Sequence, residues 1–285
     1  MTYREAIANF SCAGEHLLGI IASPAPGIPA CNTGIVIIVG GPQYRAGSHR
    51  QFVLLARELA TDGYPVLRFD HRGMGDSSGD LRNFETVAAD VGVGIDALMK
   101  RHTSIKKLVL FGLCDGASAA LLYIHAAADP RVTGLCLLNP WVRSETSLAR
   151  THVKHYYFKR LQDKGFWTKL LKGGIGAAAL RELKNNVSRT FNIGTSAATP
   201  KLSYQNQMAV AWRHFAGPIL LLNSENDLTA KEFLDFADSD PQWSNALRQG
   251  NVSRHQIVGA DHTLSSATAM ADGGQAIRNW LAASN

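Results

Sequence analysis

The sequence is short of most features that would narrow its class at once. It has four cysteines in 285 residues, at positions 12, 31, 114 and 136. Their irregular spacing is neither a disulfide framework nor the paired CxxC of a metal site. There is no HExxH and no Gly-Lys-Ser/Thr, which removes zinc-protease and P-loop chemistry. Gly73-x-Gly75-x-x-x-Gly79 is one residue too long for the dinucleotide fingerprint. No cofactor and no metal is therefore expected. Long apolar runs are scarce too. Near the N-terminus the longest is Ile35 to Val39, far short of the ~20 residues that a membrane span needs. The opening Met1-Thr2-Tyr3-Arg4-Glu5-Ala6 lacks the apolar core of a secretory signal, so a reduced, cytoplasmic setting is expected. Repeats and low-complexity tracts are absent.

Acidic residues are in modest deficit, and the deficit is local. The net charge is +6, and residues 143–172 hold eight Lys or Arg against two acids, which accounts for all of it. The rest of the chain is balanced. A nucleic-acid partner is not expected, because no basic surface extends beyond this one segment.

What is present is a hydrophobic content of 46%, ample for a core, in an alternating order of elements. A hairpin is expected over 2–23, turning at Gly14. Gly34 to Val39 reads as a buried strand. Phe52, Leu55, Ala56, Leu59 and Ala60 follow helical spacing. Pro65 to Asp70 is a second strand of this kind and 85–102 a second helix. Leu108 to Phe111 is a strand and 117–128 a buried helix, followed by a strand at 132–138. The rhythm stops over 143–211, which is basic, aromatic and without a convincing strand. It resumes with a strand at 218–222, a helix near 231–237, a last strand at 252–258 and a closing helix. Alternating strands and helices imply a mostly parallel sheet with helices on both faces. The expected organisation is an α/β core of residues 1–142 and 212–285, with a mainly helical cap of 143–211 inserted.

Between the strand at 108–111 and its helix lies Gly112-Leu113-Cys114-Asp115-Gly116. A residue thrust upward on so tight a turn needs small neighbours. The turn also sets Cys114 at a helix N-terminus, where unpaired N–H groups favour a thiolate. The alternative is a small, packed cysteine. Asp227 follows the penultimate strand and His262 the last one. In an open parallel sheet these carboxyl ends face one side, where ligands bind. Asp227 competes with Glu225 and with an Asx-turn role, and His262 with that of a solvated loop residue. His49, His71 and Arg72 read as loop-stabilising residues.

The order nucleophile, acid, histidine resembles the α/β-hydrolase superfamily, as do Asp70-His71-Arg72-Gly73-Met74-Gly75-Asp76-Ser77 and Gly259-Ala260-Asp261-His262. Gly40-Gly41-Pro42-Gln43-Tyr44-Arg45-Ala46-Gly47-Ser48-His49-Arg50-Gln51-Phe52 and Gly112 to Ala119 are similar to stretches of the cysteine-bearing hydrolase associated with the exosortase A system. The resemblance implies an α/β-hydrolase fold with a Cys114–His262–Asp227 triad, in a setting of bacterial exopolysaccharide production. It also implies an oxyanion hole. If Gly40-Gly41 took the place of the usual His-Gly pair, the donor would fall on Pro42, which has no N–H. Shifting by one residue makes 39–43 resemble the His-Gly-Gly-Pro-Gly of proline iminopeptidase relatives, and the donors become the N–H groups of Gly41 and Asp115.

The expected activity is hydrolysis of an ester, lactone or thioester through a thioacyl-enzyme. Acyl transfer by the same triad and non-catalytic binding in an envelope-polysaccharide assembly are the alternatives. The expected partner is a small acyl substrate, anionic or lipid-linked if the basic cap recognises it. Tyr156, Tyr157, Phe158, Phe166 and Trp167 would serve either a peripheral membrane contact or simple packing of the cap. Oligomeric state is not legible.

Overall fold

The computed structural model describes residues 2–41, 43–143 and 202–284. Residues 1–142 and 203–285 form one compact unit, and 143–202 separate from it as another. Residues 144–201 of the expected cap, with its basic and aromatic stretch, lie outside the described residues. The core unit resumes at Ser203, earlier than the sequence pattern places it. The reason is the helix Tyr204–His214, whose Met208, Ala209 and Trp212 are buried in the main core.

Eight strands make one sheet: β1 (Tyr3–Cys12), β2 (Glu15–Pro24), β3 (Thr33–Ile38), β4 (Val66–Phe69), β5 (Lys107–Leu113), β6 (Val132–Leu138), β7 (Ile219–Ser224) and β8 (Val252–Ile257). Their order is β1-β2-β4-β3-β5-β6-β7-β8. The β1–β2 and β2–β4 pairs are antiparallel, and the others are parallel. The central strands β3, β4 and β7 are buried along their whole length, as expected for a sheet covered on both faces.

The period of two sorts each strand's side chains between two cores. Val36 and Ile38 of β3 face one core, and Ile35 and Ile37 the other. The first core takes α2 (Ala88–Arg101), α3 (Asp115–Ala127), α4 (Tyr204–His214) and α5 (Leu228–Ser239). The second takes α1 (Gln51–Thr61) and α6 (Ala267–Ser284), through residues such as Phe52, Leu59, Ile277 and Trp280. Trp212, Phe233 and Trp243 pack with ring centroids 5.3–6.2 Å apart and close the first core under α4 and α5. No helix among the described residues is long and apolar enough to cross a membrane.

Candidate active site

The strand-to-helix turn after β5 has the strained geometry that its glycines suggest. Cys114 sits at φ 60° and ψ −124°, a region that costs a non-glycine residue energy and persists only where neighbours enforce it. The enforcing contacts are backbone ones. Cys114 N–H donates to Leu138 O at 2.9 Å, and Cys114 O accepts from Trp141 N at 3.2 Å and Ala117 N at 3.0 Å. Close approach excludes side chains on either side. A Cβ at Gly112 would lie 2.4 Å from the Gly116 backbone, and one at Gly116 would lie 2.4 Å from Ile38 O. Cys114 is half-buried, next to the first N–H groups of α3. Burial pushes the thiols of Cys12, Cys31 and Cys136 upward, which favours their protonated form.

Asp227 and His262 are brought together. Asp227 Oδ2 lies 2.8 Å from His262 Nδ1, and the carboxylate also caps α5 by accepting Thr229 N and Ala230 N at 3.1 Å each. Its side chain is 6% exposed. Glu225, the competing acid, is engaged elsewhere: its Oε2 accepts Gly259 N at 2.7 Å and braces the histidine loop. The His262 imidazole is pushed up to about 10, first by its bond to Asp227 and then by the Cys114 thiol against the ring. Both contacts favour the protonated ring, and the structure joins Cys114, His262 and Asp227 in one chain of contacts.

The N–H groups of Gly41 and Asp115, the expected oxyanion donors, come together on the Asp115 carboxylate. Gly41 has a positive φ of 59°, and its N–H faces the carboxylate of Asp115, as do the N–H groups of Asp115 and Gly116. A Cβ at Gly40 would lie 2.1 Å from Asp115 Oδ1, so the carboxylate rests directly on the loop after β3. Burial outweighs the favourable N–H groups and raises its pKa, and Oδ1 is left without a hydrogen-bond partner. Pro42 lies outside the described residues.

Of the residues read as loop-stabilising, His71 and Arg72 are buried in the loop after β4. Arg72 grips the fully buried Asp90 through N, Nε and Nη2 at 2.8–3.0 Å. Asp70, also fully buried, accepts Arg45 N at 2.7 Å and Asp76 N at 3.0 Å and pairs with the Arg45 guanidinium. His71 is 3% exposed, packs edge-on to Phe69, and is pushed down to about 4 by burial, so it is neutral. His49 lies at positive φ before α1. These loops bound a cavity of about 880 Å³ that reaches Gly40, Gly41 and Asp115 and is walled by Tyr44, His71 and Phe84. That space suits a small-molecule ligand. No cluster of three His, Cys, Asp or Glu fit to hold a metal ion occurs among the described residues.

Sequence reasoning passed over Asn139, which lies at the end of β6 and hydrogen-bonds into the His262 loop. Its signal was present as the first polar residue after an apolar strand. Without the fold, nothing distinguished it from a turn residue.

The profile of the family described as serine aminopeptidase, S33, matches residues 30–232. No curated protein matches the chain in sequence. Among solved structures, the chain is similar to the Pyrococcus furiosus esterase Pf2001, at 16% identity and TM-score 0.65, over 99% of this chain and 91% of that one. Est1E from Butyrivibrio proteoclasticus, solved with ferulic acid bound, matches at 15% identity and TM-score 0.59, over 97% and 98%. XC6422 from Xanthomonas campestris, an α/β serine hydrolase without a lid, matches at 12% identity and TM-score 0.57, over 97% and 95%. At these identities the likeness is one of fold.

Proposed function

Because the chain belongs to the serine aminopeptidase S33 family of α/β hydrolases, we propose that it is an ester, lactone or thioester hydrolase whose nucleophile is Cys114. The observation that carries this reading is the single imidazole of His262, bonded to Asp227 at Nδ1 and in contact with the strained Cys114. A serine hydroxyl must lose its proton to histidine during attack. The contacts at His262 favour the protonated ring, which suits a thiol, the side chain that can attack as a thiolate.

The steps then follow. The Cys114 sulfur adds to the substrate carbonyl, and the oxyanion takes the N–H groups of Gly41 and Asp115, which must first turn from the Asp115 carboxylate that they face. Imidazolium at His262 gives its proton to the departing alkoxide or thiolate, leaving a thioacyl-enzyme. Neutral His262 next takes a proton from water, and hydroxide releases the acid and the Cys114 thiolate. Asp227 holds the ring in its working orientation throughout. Esters and thioesters are preferred over amides because their leaving groups need less help. Transfer to an acceptor other than water uses the same thioacyl-enzyme.

The likeness of 40–52 and 112–119 to the exosortase A-associated hydrolase directs the search for a substrate toward bacterial exopolysaccharide metabolism. The eight basic residues of 143–172 favour an anionic or lipid-phosphate portion on that substrate.

The test is iodoacetamide labelling near pH 7, followed by an ester and thioester screen with Cys114→Ala as control. Cys114 should label faster than Cys12, Cys31 or Cys136, and the screen should find turnover that Cys114→Ala abolishes. Slow labelling together with an empty screen would move the reading to a non-catalytic binding protein.

A further inference from the structure

Asn139 is wholly buried, has the left-handed φ of 48°, and joins three strand ends that carry the candidate triad. Its own N–H donates to Leu222 O of β7 at 3.0 Å. Its Oδ1 accepts Ser224 N at 2.8 Å, and its Nδ2 donates to Ser224 Oγ at 2.9 Å and to His262 O at 3.3 Å. On the other side, its neighbours hold the nucleophile: Leu138 O accepts Cys114 N, and Trp141 N donates to Cys114 O. Ser224 in turn lies three residues before Asp227, whose N–H points back to Ser224 O at 3.4 Å.

Few side chains meet these demands. The positive φ favours glycine or asparagine. The complete burial requires a group whose donors and acceptor are all used, and the carboxamide uses Oδ1 once and Nδ2 twice. Glycine would satisfy the backbone and leave Ser224 N and His262 O unpaired. A purely structural residue at this turn would need only the backbone conformation. Asparagine adds the tie to the histidine carbonyl.

We propose that Asn139 is a positioning residue that sets the place of the His262 ring between Cys114 and Asp227, by fixing the His262 carbonyl to the ends of β6 and β7. This rests on the reading of Cys114 and His262 as a working pair. The ionisable groups facing His262 are Asp227, Cys114 and Asp115. None of them touches the Asn139 carboxamide through a described hydrogen bond.

The test uses Asn139→Gly, which keeps the permitted φ, and Ser224→Ala, which keeps Asn139 and deletes one partner. Three quantities are measured: the pH dependence of Cys114 alkylation by iodoacetamide, the NMR titration midpoint of His262, and Tm. Displacing a reacting group by about 1 Å costs up to ~100-fold, so Asn139→Gly should slow alkylation at pH 7 by about 10–100-fold. It should also lower the His262 midpoint while the protein stays folded. Ser224→Ala should shift both in the same direction by less, and it carries the test alone if Asn139→Gly fails to fold. Unchanged alkylation and midpoint would overturn the proposal, as would a fall in Tm with the midpoint unmoved. His262→Gln separates the two levels of argument. If it leaves alkylation unaffected, the Cys114–His262 reading itself is wrong. If it slows alkylation while Asn139→Gly does not, only the role of Asn139 is refuted.

Discussion

Replacing Asp227 by asparagine removes one charge and almost no volume, and so isolates what that charge does to His262. Asparagine is a good N-cap, so the start of α5 keeps an acceptor for Thr229 N or Ala230 N. The His262 imidazole loses the partner that contributes most to its rise from 6.5 to about 10. At face value that rise corresponds to about 5 kcal/mol, shared with the Cys114 contact. The His262 side chain is 34% exposed, so water screens the interaction. The Asp227 share is then about 2 kcal/mol.

A raised pKa means that the folded protein binds the proton more tightly than the unfolded chain. The stabilisation is therefore complete below pH 6.5 and is lost as pH rises through about 10. Urea unfolding of wild type and Asp227→Asn should differ by about 2 kcal/mol at pH 6 and converge above pH 10. An NMR titration of histidine-labelled protein gives the direct reading: the His262 midpoint should drop by more than one pH unit. Catalysis should fall with it, because the ring loses both its orientation and its ready proton. A wild-type midpoint near 6.5, or one that Asp227→Asn leaves in place, would refute the ionic state on which the mechanism rests.

His71 should set the acid limit of stability. Its pKa is pushed down to about 4, so its contribution is complete above pH 6.5 and is lost as pH falls toward 4. Wild type should lose roughly 3 kcal/mol over that interval from this residue, and His71→Gln should flatten the decline seen in urea titrations. Arg72→Ala should destabilise by about 3–5 kcal/mol in the same assay, because it leaves the fully buried Asp90 carboxylate without its cation. Asp115→Asn removes a buried negative charge beside the expected oxyanion donors. Its kcat on an activated ester should exceed that of wild type at pH 8, and the gain should shrink as pH falls, since protonation removes the same charge. An equal effect at all pH values would show that the Asp115 carboxylate does not oppose the oxyanion.

The strands and helices were legible because their patterns are local. Ile35 to Val39 and Ile219 to Leu222 are runs of β-branched and aliphatic residues set close to glycine or proline. They leave little choice but buried strands in a parallel sheet. Gly112-x-Cys114-x-Gly116 was legible for the same reason, since a Cβ at either glycine would meet backbone at 2.4 Å. The competition between Asp227 and Glu225 was not legible. Both stand in one polar loop, and only the path from β8 to His262 decides which carboxylate reaches the ring. Asn139 was hidden more deeply, because its partners lie 85 and 123 residues away along the chain. The end of the inserted segment fell too late because 204–207 looks polar in sequence, with Tyr204, Gln205, Asn206 and Gln207 in a row. Its burial comes from Met208, Ala211 and Trp212 at helical spacing, and those residues need α3 and Trp243 as partners before their pattern has meaning.

The tie from β6 to the histidine loop bears on how one chain holds a thiol, an imidazole and two carboxylates so close together. Asp227 is capped by two backbone N–H groups and paired with His262, so its charge is balanced within the site. Asp115 lies at the first turn of α3, where N–H groups of the helix and of the loop after β3 face it. On its other side the His262 ring contacts the Cys114 sulfur. The contact between thiol and imidazole holds only while the ring stays in place, because Coulomb attraction and hydrogen bonding both fall off within a few ångströms. Under the proposed mechanism, fixed ends of β5, β6 and β7 would be part of the chemistry, and the positive φ at Cys114 and Asn139 its structural cost.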